Sequence, residues 1–416
     1  MASKEFFEIP KRFRTWSLAL IGVGVLSVII GFFVYGTGGD DAEAMHHKTR
    51  FWATMLHNSV YFLLIVNACM FFICATTLAW GGWQMSFRRV TEAISAVVPV
   101  IGIIAFVVLM AIVFGGHHMS HIYHWTDTEA VSQDHILKGK SGFLNTTFFT
   151  VWTILTIGLW SVLGYKMRKL SRELDNHPLP SVEEQRKYIW KNTVWAAIFI
   201  VWFALTVMSV VPWFWLMSID AHWYSTMYSW YTFASTFVPG LCLIALFIVY
   251  MKNNGYLEYT NEEHLHDVGK FIFAFSVFWT YLWFAQYMLI WYANIPEETV
   301  YFQSRIKDGP YSGIFWLNLI INFAAPLLIL MRRGSKRNYT TITFMAILLI
   351  FGHWLDFYQM IFGSVMKEHV ELNLFDFGVA AGFVGVILYV TGNVLSKFPL
   401  VAKNHPFIKE SIIHHT

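Results

Sequence analysis

His353 and Asp356 stand three residues apart in Gly352-His353-Trp354-Leu355-Asp356-Phe357-Tyr358, within a long apolar run. On an α-helix that spacing sets them about 60° apart on one face, and Gln359 extends the face by three more residues. An imidazole beside a carboxylate can take up and release protons, so proton transfer is the first chemistry these residue types suggest. The same two groups can instead brace neighbouring helices through a shared hydrogen bond. A third reading pairs His353 with His57, from a separate apolar run, as axial ligands of haem b. Polar groups in such surroundings are costly unless partnered, which makes each of them a candidate for function.

The segments that must position these groups are long and apolar. Runs able to cross a hydrocarbon core of about 30 Å fall at about 16–36, 52–80, 94–115, 143–166, 190–217, 224–251, 270–294, 312–331, 341–362 and 375–396. Hydrophobic residues make up 56% and charged residues 13% of the 416, whereas roughly a quarter of a soluble domain is charged. An ordinary soluble enzyme is excluded. The expected fold is an all-α polytopic membrane protein with ten transmembrane helices in a single domain, 1–416. Proline within the runs, at Pro99, Pro239 and Pro326, is tolerable where neighbouring helices satisfy the freed carbonyls.

Lys and Arg fix the expected orientation. With the N-terminus inside, 22 of the 29 basic residues fall on inside segments and 7 on outside ones, so both termini are expected in the cytoplasm. Lys11, Arg12 and Arg14 precede the first run, and no small-residue cleavage pattern follows it. It reads as an uncleaved span. The net charge of +3 says little about partners, because the basic residues are already used by topology; membrane lipid is expected as a partner and nucleic acid is not.

With direction fixed, the polar groups concentrate in the outer half and leave the inner half nearly dry. His57 and Asn58 lie near the outer end of span two, and Asn145 opens span four. Ser209 lies in outer span five, with Asp220 and His222 just beyond it. Gln286 is on span seven, and Asn318 and Asn322 are four apart on span eight. His353, Asp356 and Gln359 are on span nine, and Asp376 is on span ten. Within Phe278 to Thr299, the residues Trp279, Trp283, Gln286 and Tyr287 form one stripe of indole, amide and phenol. Trp291 and Tyr292 follow at the expected interface, and Pro296, Glu297 and Glu298 in an acidic loop beyond it. Two connections are longer than the rest: an outer loop at about 116–142 and a charged inner hairpin at 168–189. The outer one carries His117, His118, His121 and His124, a weak metal signal, because Asp127 and Asp134 nearby add no ligand pattern. Cys69, Cys74 and Cys242 all fall in apolar runs, so neither a disulfide nor a thiolate metal site is expected. No Cys-x-x-Cys-His occurs, which excludes covalently attached haem c.

The segment 278–299, together with Ser218-Ile219-Asp220-Ala221-His222-Trp223-Tyr224-Ser225-Thr226 and Gly352 to Tyr358, resembles the NrfD/PsrC-like membrane subunits of alternative complex III. This is a bacterial quinol:electron-acceptor oxidoreductase, and the likeness is greatest to the smaller, ActF-type subunit. The resemblance implies two four-helix bundles, spans two to five and six to nine, with one flanking helix at each end. No clear sequence repeat relates the halves. It further implies a place in the bacterial inner membrane and a subunit that is not catalytic alone. The implied partners are a larger NrfD-like subunit, an iron–sulfur subunit, haem c subunits and a terminal oxidase. Haem and iron–sulfur clusters are then expected on the partners, with quinone or quinol as the ligand within reach of this chain. Under that reading His353, Asp356, Gln359, His57, Asp220, His222, Gln286, Asn318, Asn322 and Asp376 are proton-path or quinol-site candidates. Quinol oxidation needs such groups, because two protons must leave as the electrons leave. Scaffold and proton translocation are expected ahead of direct quinol oxidation, since the family places the quinol site in the larger subunit. A secondary transporter is the alternative of another class, although its site would be expected near the midplane with interrupted helices in both halves.

Overall fold

The computed structural model describes residues 5–37, 39, 41–116, 120–306, 309–367, 370 and 372–415. Among the described residues ten helices are long and apolar enough to cross a membrane. Spans one to five are Lys11–Gly36, Ala42–Leu78, Arg88–Gly115, Thr146–Asn176 and Val182–Asp220. Spans six to ten are Met227–Asn253, Glu262–Ala293, Ser312–Leu330, Tyr339–Val365 and Leu374–Leu395. The described residues contain no strand, and the all-α polytopic class stands. An even number of spans puts both termini on one side, called the termini side here; the other is the far side.

The spans pack as two rings of four. Span two lies against three and five, and span four closes the ring between them. Span six lies against seven and nine, and span eight closes the second ring. Spans two and six join the rings, and both are the most buried of the ten. Span one runs along span ten. Its Gly24 meets Gly382 so closely that a Cβ on Gly24 would lie 2.3 Å from the Gly382 Cα.

Local sequence explains the ends and irregularities of these helices. Asn145, Ser181, Asn261, Asn338 and Asn373 cap the N-termini of spans four, five, seven, nine and ten with side-chain oxygens. Span seven stops where Asn294 takes a left-handed conformation (φ 49°). Span eight widens into a π turn at Ile320–Ala324. Pro326 offers no N–H to the Asn322 carbonyl one turn earlier, and the wider turn accommodates the loss. Span five does the same over Thr206–Leu216, around Pro212.

Several helices begin earlier than their apolar runs. Span two starts at Ala42 and span three at Arg88, so Arg50, Arg88, Arg89 and Glu92 are buried helix residues and not loop residues. Arg50 lies in the far-side half, but Arg88, Arg89 and Glu92 lie in the termini-side half, which is therefore not dry. There Arg88 Nε donates to Glu92 Oε1 at 2.9 Å, Arg89 bonds Asp175 at 2.6 Å, and Arg168 donates to the Ser95 carbonyl at 3.1 Å. Hydropathy counts each charge alone and misses both the i,i+4 pair of Arg88 with Glu92 and the pair of Arg89 with Asp175 that packing forms. Beside this cluster, burial and the neighbouring charges of Arg88 and Arg89 hold the His405 imidazole well below its usual pKa.

The inner hairpin is mostly helix, since spans four and five extend to Asn176 and from Val182. The outer loop forms two short helices, Thr128–Gln133 and His135–Lys140, capped by Asp127 and Asp134. His117 and His118 lie outside the described residues. His121 and His124 have ring centroids 6.1 Å apart, and no group of three metal-ligating side chains occurs among the described residues. The acidic segment after span seven is a helix, Pro296–Ile306, that covers the far side of the second ring.

Candidate functional site

Asp356 is the centre of the second ring, 1% exposed. It sits nine residues, about 14 Å, from the far-side end of span nine at Val365. Four donors from three other spans converge on its carboxylate. Oδ1 accepts from the Tyr231 hydroxyl and from Asn318 Nδ2 at 2.8 Å. Oδ2 accepts from the Ser235 hydroxyl at 2.5 Å and from Trp279 Nε1 at 3.1 Å. All four are neutral groups. Charge-assisted bonds to a carboxylate are about twice as strong as neutral ones, so the set can hold an anion at this depth without a cation beside it.

The donors divide by chemistry. The Tyr231 and Ser235 hydroxyls can rotate and accept; the Trp279 N–H cannot. The Ser235 oxygen lies 3.2 Å from His353 Nδ1 as well, so His353 and Asp356 meet through this hydroxyl. A hydroxyl held between an imidazole and a carboxylate can receive a proton from one and give one to the other. His353 packs edge-on to Trp279 at 5.4 Å, and its buried Nε2 has no protein partner.

Neighbouring turns supply the support. Asn322 Nδ2 donates to Asn318 Oδ1 at 2.6 Å, which aims the Asn318 amide N–H at Asp356. Gly352 allows span eight to approach this closely, because a Cβ there would fall 2.2 Å from Asn322 Oδ1. On span six, Tyr231 and Ser235 share a face at a spacing of four.

On its far side Asp356 borders a small cavity with Tyr231, Trp283, Gln286, Tyr301, Arg305 and Gln359 among its walls. At about 10 Å³ it has the room a single water needs. Gln286 Nε2 and Gln359 Nε2 are buried without a protein partner. The helix Pro296–Ile306 forms the roof. Arg305 lies 3.7 Å over the Tyr301 ring and donates to the Gln359 carbonyl at 3.0 Å and to Ser364 at 3.2 Å.

Of the residues singled out by sequence, His353, Asp356, Gln359, Gln286, Asn318 and Asn322 come together here. Asp376 does not. Its carboxylate is bound by Arg50 at 2.6 Å, by Thr54 at 2.7 Å and by the Asn373 backbone N–H at 3.0 Å. Both members of this ion pair are fully buried, and breaking such a pair costs about 3–5 kcal/mol. It joins spans two and ten. His57 belongs to that side as well: its Nε2 donates to the Trp354 carbonyl at 2.9 Å, and Trp354 Nε1 donates to Asn58 at 2.9 Å. His57 thus packs between spans two and nine while His353 faces spans six and seven, so the two imidazoles do not converge as haem ligands would. Asp220 and His222 remain at the far-side surface. His222 Nε2 meets Asp134 at 2.6 Å and holds that exposed carboxyl below its usual pKa. Lys140, beside Asp220, donates to the Ala221 carbonyl.

The sequence matches no family model and no curated protein. Tyr231, Ser235 and Arg305 were missed by sequence reasoning. The available signal was Tyr231 and Ser235 at helical spacing with Pro239 one turn on, which frees the Ser235 carbonyl.

Proposed function

We propose that this chain is an integral membrane subunit of a respiratory quinol oxidoreductase of the alternative-complex-III type, and that its own task is to pass protons by way of Asp356. The motif resemblance and the two rings of four spans with flanking helices support the family. The observation that carries the role is the carboxylate held by four neutral donors, two of them rotatable and one shared with His353. Such a group can be charged or protonated with only hydroxyl rotations between the two states. The adjoining cavity has room for about one water, which favours a proton over a quinol ring as the species Asp356 handles. A transporter is disfavoured because the large cavity among the described residues is apolar.

Under this reading the complex lies in the bacterial inner membrane with both termini of this chain cytoplasmic. Electrons pass through iron–sulfur and haem c centres on partner subunits. The test is purification from native membranes through a tag on this chain. We expect haem c and iron–sulfur polypeptides to co-purify with quinol-dependent electron transfer, and the chain expressed alone to show neither absorbance. Recovery from native membranes without redox partners, or substrate uptake by the chain alone in vesicles, would defeat the proposal.

A further inference from the structure

The second cavity lies on the opposite face of span nine. A crevice of about 680 Å³ runs between spans one, two, six, nine and ten, with almost wholly apolar walls. Ile347, Ile350, Phe351 and Trp354 turn into it, while His353 and Asp356 face spans six to eight.

Its dimensions identify the kind of occupant. The wall runs from Thr343 to Trp354 on span nine and from Phe377 to Leu388 on span ten. Each is twelve residues, a rise of about 16 Å over eleven steps, or half of a hydrocarbon core of about 30 Å. The crevice therefore spans one leaflet. Acyl chains laid along the crevice would cover its apolar walls over the depth of one leaflet.

The two ends differ. Trp354, its N–H held by Asn58, closes the end near the midplane. Tyr250, Asn253 and Thr343 are gathered at the termini-side end. There the wall residue Phe13 is flanked by Arg12 and Arg14, with Lys11 two residues before it, and all three basic side chains are exposed. Exposed bases clustered at an interface attract anionic headgroups.

We propose that this crevice is a binding site for an anionic phospholipid of the termini-side leaflet, with its acyl chains in the crevice and its phosphate at Lys11, Arg12 and Arg14. The site is independent of the role assigned to Asp356.

The test is native mass spectrometry of the full-length protein after detergent washing, from membranes of phosphatidylglycerol, phosphatidylethanolamine and quinone in known proportion. The wild type should retain phosphatidylglycerol above its share of the bulk lipid. Ala380→Phe, which adds a ring to the crevice wall, should lose that lipid. The surface variant Arg12→Glu/Arg14→Glu should lower the anionic preference at least roughly thirtyfold and does not depend on repacking the interior. Retained lipid that mirrors the bulk composition, quinone retained in its place, or wild-type selectivity in the double variant would each overturn the proposal.

Discussion

Replacing Asp356 by Asn separates a working proton site from a structural brace. In the wild type each carboxylate oxygen accepts one rotatable and one fixed donor: Tyr231 with Asn318, and Ser235 with Trp279. An Asn amide must turn its own N–H₂ toward one of these pairs. The hydroxyl of that pair can rotate and accept. On the Trp279 side the indole N–H then loses its acceptor, while on the Asn318 side the amide can flip only by breaking its bond from Asn322. The cost is therefore one buried hydrogen-bonding group, about 1–3 kcal/mol. Asp356→Ala removes the acceptor from both fixed donors and should cost about 2–6 kcal/mol on the same scale. The assay is quinol oxidation and proton release by the complex in liposomes, normalised to assembled complex. We expect Asp356→Asn to assemble and to lose proton coupling, and Asp356→Ala to lose assembly. Wild-type rates and wild-type proton stoichiometry in Asp356→Asn would refute the protonic role. Lost stoichiometry with electron transfer intact would separate proton conduction from quinol oxidation, since a carboxylate at a quinol site should slow the electrons as well.

Other expectations follow from single features. Reporters fused in the turn near Glu183 and at the C-terminus should both read as cytoplasmic; a periplasmic signal from either would reverse the orientation. Gly352→Ala places a methyl 2.2 Å from Asn322 Oδ1, so it should lower thermal stability by about 1–3 kcal/mol, and an unchanged melting temperature would contradict the packing. His405 is buried beside Arg88 and Arg89 with its pKa depressed from 6.5. The unfolded chain therefore binds this proton first, and stability should fall by at most about 1.4 kcal/mol for each pH unit below about 6.5. Comparing His405→Gln with the wild type in unfolding from pH 5 to 7 checks this; an equal slope in both would remove His405 as the source.

The spans were legible because hydropathy alone dictates them, and the His353 and Asp356 pair because helical spacing does. Gln286, Asn318 and Asn322 stood out as amides in apolar runs. Tyr231 and Ser235 did not, because hydroxyls are ordinary in membrane helices and only the approach of span six to span nine gives them a carboxylate to bind. Arg50 was counted with a loop, since its charge hides a position that Asp376 neutralises from 326 residues away. Helical spacing left open whether His353 and Asp356 share a hydrogen bond or act together on something between them. The link runs through Ser235 because a third helix packs against both.

The glycine contact between spans one and ten bears on how the protein is made. Span one is the least enclosed of the ten, and its close partner in the fold begins at Leu374, about 340 residues beyond Gly36. At a synthesis rate of roughly 5–20 residues per second that interval is roughly 17–70 s. During it the close partner that Gly24 meets in the fold, Gly382, has yet to be made. Span one thus waits for a helix made about 340 residues later before it is seated, and its docking reports that translation has passed Gly382.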